Sequence, residues 1–157
     1  MSGTSIKIDV DFGSPDVREA LTGSLRQARR LADALPDIGE ELLQSTDARF
    51  RREQGPDGAP WAPLKPATLR QKKRTKRPFI LQEEGLRGGL RGSINYRIHG
   101  TQLSLGSPLP YARIHQLGGQ AGQGHAVRIP ARPYLGVSED DQAAINEIIR
   151  DHLGLGG

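Results

Sequence analysis

The chain has 157 residues, enough for one domain of ordinary size, and it reads as a single domain over 1–157. Its 22 Lys+Arg and 18 Asp+Glu leave a net charge of +4, which hides a strong asymmetry. Residues 1–48 hold 5 basic and 9 acidic side chains (−4), residues 49–97 hold 13 and 4 (+9), and residues 98–157 hold 4 and 5 (−1). No apolar run approaches the roughly 18 residues of a membrane-spanning helix, and Met1 to Val10 has no apolar core of secretory type, so neither a transmembrane helix nor a signal peptide is expected. The absence of cysteine excludes disulfides, thiolate metal sites and thiol nucleophiles, and it suits a reducing cytoplasm.

Apolar residues make up 35% and aromatics only 4%, while 20 glycines and 11 prolines imply long loops around a thin core. Such a chain draws part of its ordering from neighbours in an assembly. Ile6, Ile8, Val10 and Phe12 alternate with Lys7, Asp9 and Asp11, the pattern of a half-buried strand. Ser14-Pro15 starts a helix whose apolar face runs from Val17 through Leu21, Leu25, Ala28, Leu31 and Ala32 to Leu35. Pro36 is expected to break or kink it, because proline lacks an N–H and disfavours helical geometry before it. A second helix is then expected from about Asp37 to Gln54, with Ile38, Leu42, Leu43, Thr46 and Phe50 inward; Arg49, Arg51 and Arg52 in its last turn read as partners of the helix dipole.

Gly55-Pro56-Asp57-Gly58 is a strong turn signal. Pro60, Pro63 and Pro66 recur every third residue, the repeat of polyproline II, and residues 55–78 read as an extended arm pinned by Trp61. The basic run Arg70-Gln71-Lys72-Lys73-Arg74-Thr75-Lys76-Arg77 ends the arm, either helical after Pro66 or mobile. A hairpin with a His99-Gly100 turn would pair Ile98 with Thr101, Tyr96 with Leu103 and Ile94 with Leu105. Residues 118–126 read as a flexible Gly/Gln loop, and Val127-Arg128-Ile129 as a short strand. Ser138 to Asp141 has the form of a capping box with Asp in place of Glu; it opens a last helix with Ile145, Ile148, Ile149, His152 and Leu153 on one face, stopped by Gly154. The expected fold is α+β: a small antiparallel sheet of the N-terminal strand, the 93–106 hairpin and the strand near 127–129, packed against helices.

No catalytic chemistry is visible. His99, His115, His125 and His152 are separated by 16, 10 and 27 residues, too far apart for a short-spaced zinc pair. There is no Gly-x-Ser-x-Gly elbow and no phosphate loop, and Glu83-Glu84 reads as a solvated pair whose members point apart. Neither a cofactor, a metal nor an enzymatic reaction is expected. The cations Arg70, Lys72, Lys73, Arg74, Lys76 and Arg77 fit phosphate contact, docking on an acidic surface, or a solvated loop. No aromatic interleaves with them, so stacking on single-stranded bases is not supported.

Three clusters stand out together: Pro56, Asp57, Gly58, Trp61 and Leu64; Tyr111, Ala112, His115, Gln116 and Gly118; and Ala131, Arg132, Pro133, Leu135 and Gly136. In this order and at these separations they resemble the phage virion morphogenesis family, from about Phe50 to the last helix. The resemblance implies a structural virion protein of a tailed phage, placed at the head–tail junction or tail terminus and assembled in the bacterial host cytoplasm. It implies a homo-oligomeric ring, a hexamer or a dodecamer, that meets adaptor, stopper or tail-tube proteins, with genomic DNA passing through non-specifically and no membrane. Head closure and a DNA-binding accessory role are the alternatives. Under the resemblance the first cluster is the candidate inter-subunit contact, and the basic run the candidate contact with DNA or an acidic partner. The chain departs from the family where Gly85, Gly88, Gly89 and Gly92 crowd a segment that is usually a short helix.

Overall fold

The computed structural model describes residues 4–8, 25–74, 79–82 and 89–155. In chain order its elements are β1 (Thr4–Ile8), α1 (Leu25–Arg52), α2 (Pro66–Arg74), α3 (Gly89–Ser93), β2 (Asn95–His99) and β3 (Gln102–Ser107). Then come α4 (Ala112–Leu117), β4 (Gly119–Ala121), a 3-10 turn (Gln123–His125), β5 (Val127–Ile129) and α5 (Glu139–Leu153). The fold is α+β, as expected, with small antiparallel sheets and helices. The expected strand beyond Ile8, the Ser14-Pro15 helix start, Val17 and Leu21, Lys76 and Arg77, Glu83-Glu84, Gly85 and Gly88 lie outside the described residues.

Helix α1 is the organising element. It packs along α5 and against β2 and β3, and it buries Leu31, Ala34, Leu35, Ile38, Leu42, Thr46 and Phe50. Contrary to expectation, Pro36 neither ends the helix nor separates two helices. The lost hydrogen bond and ring clash cost about 3 kcal/mol. Each of the buried leucines and isoleucines on either side returns about 1.5–3 kcal/mol when the stripe stays continuous. Pro36 itself is exposed, so its ring displaces no core side chain. Gly39 lets β2 come close: a Cβ there would stand 2.6 Å from the Tyr96 ring.

The main sheet has the order β1-β3-β2. Its hairpin is shifted by two residues from the expected register: Ile98 faces Leu103, Tyr96 faces Leu105 and His99 faces Gln102. The turn is therefore Gly100-Thr101, with Gly100 at φ +60°, the glycine-first arrangement of a type II′ turn. A two-residue shift preserves side-chain parity, so both registers put the apolar set on one face. The observed one puts Gly at the position needing positive φ, where His99 would be strained. In the central strand β3, Leu103 and Leu105 are 1% and 0% exposed.

The strand at 127–129 does not join this sheet. It pairs with Gly119–Ala121 in a separate two-stranded sheet, so part of the expected Gly/Gln loop is strand β4. The arm is likewise not extended throughout. The Gly55–Gly58 turn closes through Gly58 N–H to Gly55 O (3.0 Å), but residues 66–74 form α2, opened by Pro66, whose missing N–H costs nothing at a helix start. Lys72 lays its stem into the protein and donates from Nζ to the Phe79 carbonyl at 2.9 Å. The capping box of α5 forms as expected: Ser138 Oγ accepts from Asp141 N–H and Asp141 Oδ2 accepts from Ser138 N–H. Gly154, left-handed at φ +73°, caps its C-terminus.

Candidate functional site

The three sequence clusters converge on one clasp. Gln116, buried on α4, accepts at Oε1 from the Tyr134 and Leu135 N–H groups, each at 3.0 Å, and donates from Nε2 to the Leu135 carbonyl at 3.1 Å. One side-chain amide thus serves an irregular segment whose backbone has no ladder partner. The segment is also tied by Arg132 N–H to the His115 carbonyl (2.8 Å) and by the Tyr134 hydroxyl to the Ala112 carbonyl (2.8 Å). Burial pushes the Tyr134 phenol well above its ordinary range, so it stays a protonated donor.

The first cluster enters from the other side. Trp61, 6% exposed, donates from its indole to the Pro133 carbonyl at 2.7 Å and meets Phe50 edge-on, ring centroids 5.4 Å apart. Phe50 also packs on Tyr134 at 5.4 Å. Arg132 reaches back, with Nε to the Ala62 carbonyl (2.8 Å) and a terminal nitrogen to Pro63 (3.0 Å). Burial lowers its guanidinium pKa and the charge of Glu53 opposes that shift. Gly136, at φ +154°, sits where a Cβ would stand 2.5 Å from Pro56 Cγ. A Cβ on Gly118 would stand 2.8 Å from Ala131 N. Asp57 accepts the Ala59 N–H at 3.0 Å, and Gly58 is exposed at φ +77°. Most signature residues are therefore spent inside the chain. Tyr111 is exposed, with its ring edge-on to His115 at 6.0 Å, and Leu64 is half-buried.

Arg49 corrects the sequence reading. It is not merely a dipole partner at a helix end but is 6% exposed. It donates to the Tyr134 (3.2 Å) and Gly136 (2.9 Å) carbonyls and to Ser45 Oγ (3.1 Å), and it pairs with Asp141. Burial lowers its pKa, opposed by the Asp141 carboxylate. Its position on the Leu42–Thr46–Phe50 side of α1 was the available signal, because a cation on a buried stripe must find a partner.

Beside the clasp lies a groove of about 470 Å³, lined in part by Leu64, Lys65, Tyr111, Val127, Arg128 and Arg132. Arg70, Lys73 and Arg74 are exposed on α2, while Lys72 turns into the groove wall. Among the described residues no cluster of His, Asp or Glu could hold a metal ion, and no helix is long and apolar enough to cross a membrane.

The clasp of backbone carbonyls, a buried amide and packed rings holds the segments of the three clusters together inside the chain, an arrangement that does structural work. The chain belongs to the phage virion morphogenesis family, whose model matches residues 14–154, and its role is in phage morphogenesis. It is 38% identical over 58% of its length to the Mu-like prophage FluMu G protein 2 of Haemophilus influenzae, and the match spans 62% of that protein. It is 32% identical over 86% of its length to tail completion protein S of Escherichia phage P2 (89% of that chain). It is 34% identical over 76% of its length to protein G of Escherichia phage Mu (78% of that chain), whose name refers to capsid assembly. No solved structure matches it.

Proposed function

We propose that this chain is a ring-forming subunit of the head–tail junction or tail terminus that completes the tail in virion assembly. The observation that carries the reading is the similarity to tail completion protein S over 86% of the chain. The physics agrees. The clasp fixes the Pro56–Gly58 turn, backed by Trp61 and Leu64, as a contact for a neighbouring subunit. Arg70, Lys73 and Arg74 on α2, with Lys76 and Arg77 in the same run, supply cations for passing DNA or an acidic partner, while Lys72 is turned inward to the Phe79 carbonyl. Tyr111, Leu117 and Val127 are 44%, 60% and 43% exposed and offer apolar area for further protein contacts. Hexameric rings are favoured over dodecameric ones; adaptor, stopper or tail-tube proteins are the neighbours, in virions assembled in the host cytoplasm.

Particles produced without this chain are expected to show unjoined heads and tails or unfinished tails by electron microscopy, and complementation restores them. Infectious particles lacking the chain would overturn the reading. A head-closure role is the second reading, favoured by the phage Mu relative named for capsid assembly. Localisation of labelled protein on intact particles, at the tail end or at the capsid vertex, separates the two.

A further inference from the structure

The groove beside the clasp is lined by four cations, Lys65, Lys72, Arg128 and Arg132, and by no carboxylate among the described residues. Lys65 and Arg128 are exposed and form no ion pair with any of the described residues. A second cleft, of about 910 Å³, has the opposite character. Five carboxylates line it (Glu41, Asp57, Glu139, Asp140, Asp141) against two guanidiniums (Arg49, Arg52), a net −3. Arg49 is already paired with Asp141. Capping of α5 is done by Ser138 and Asp141, which leaves Glu139 and Asp140 exposed at its first turn, with no ion pair to a described residue. No residue lines both clefts, so one copy can use both at once.

We propose that the cationic groove of one copy receives the acidic start of α5 and the Asp57 turn of a second copy, head to tail. The occupant follows from charge: the groove is cationic, and this chain carries an exposed acidic patch, Asp57 with Glu139 and Asp140, lined by different residues. Like surfaces repel, so a two-fold contact of groove with groove is disfavoured, while the heterologous contact repeats and closes into a ring when the rotation allows. The Tyr111 and Val127 side chains in the groove add apolar contact to the charge pairing. This interface rests on the ring reading above and specifies its subunit contact.

The test is charge reversal in the full-length chain, read by analytical ultracentrifugation and native mass spectrometry. K65E/R128E and E139K/D140K should each weaken self-association about tenfold or more with unchanged circular dichroism; all four side chains are exposed, and only E139K/D140K should melt slightly lower, because it places cations at the N-terminus of α5. The chain carrying all four substitutions should assemble again, since both faces are exchanged. An equimolar mixture of the two double variants should also assemble, in alternation. Wild-type association should weaken as salt rises from about 0.1 M to about 1 M, where the Debye length falls from about 10 Å to about 3 Å. Wild-type rings that persist unchanged in both double variants overturn the interface and leave the ring reading standing. A wild-type chain that stays monomeric alone and with its tail partners overturns both. Loss of duplex-DNA binding in K65E/R128E, with E139K/D140K associating like wild type, overturns the interface in favour of a nucleic-acid groove.

Discussion

Arg49 and Asp141, 92 residues apart in sequence, form a buried ion pair that joins the end of α1 to the first turn of α5. The same Asp141 carboxylate accepts the Ser138 N–H, and the same guanidinium holds the Tyr134 and Gly136 carbonyls. A single pair thereby couples the helix core to the clasp.

Removing one partner leaves the other charge buried. R49A is expected to destabilise the chain by about 3–5 kcal/mol. R49K should recover part of the loss, because it keeps the charge but cannot reach two carbonyls and a carboxylate together. Urea unfolding followed by circular dichroism measures both.

Gln116 is tested by the apolar change Q116L. Two buried N–H groups, of Tyr134 and Leu135, then lose their acceptor, at about 1–3 kcal/mol each. Q116E reproduces both roles only when protonated, accepting from the two N–H groups and donating its O–H to Leu135 O; ionised, it buries a charge and faces that carbonyl with an acceptor, so it should be milder at low pH than at neutral pH. Amide hydrogen exchange at Tyr134 and Leu135 should accelerate in Q116L before global stability is reached.

The contact of Gly136 with Pro56 predicts an inequality between two alanine substitutions. G58A meets open space and costs only the left-handed backbone, about 1–2 kcal/mol. G136A adds a Cβ 2.5 Å from the proline ring and should cost more, while displacing the 55–58 turn. Equal melting temperatures for the two variants would refute the close approach.

Asp47 gives a pH dependence. Hydrogen bonds from Arg91, at 2.5 and 3.1 Å, hold its carboxyl below the ordinary value, with burial opposing and Arg51 adding to the depression. A depressed folded pKa contributes stability that is complete above the unfolded value, about 3.9, and is lost as pH falls through the folded value. D47N should flatten the acid limb of a melting-temperature profile below about pH 4 and leave the slope near pH 7 unchanged.

The clasp residues were legible as a set before their purpose was. Pro56, Trp61, Gln116, Arg132 and Gly136 form one recognisable pattern, and the turn, the capping box and the α5 face could be read from local rules. Arg49 was not legible as a structural centre, because a terminal arginine also suits the helix dipole. The hairpin register was misread by two residues, since either register satisfies the alternation and only the backbone conformation of Gly100 decides.

The sequence by itself determined the α+β class, the capped last helix and the concentration of positive charge in residues 49–97, because these rest on periodicity, capping chemistry and composition; the family was marked there by the resemblance of three residue clusters. Tertiary structure alone decided that α1 runs through Pro36, that Gly119–Ala121 pairs with β5, and that most of the signature residues face inward. Each of those outcomes depends on burial and on partners distant in the chain, whose free energy outweighs local preference. The opening charge asymmetry is likewise resolved in space. Arg49 is neutralised inside and Arg91 is bound to Asp47, while Lys65 from the +9 segment joins Arg128 from the weakly acidic last segment in one groove.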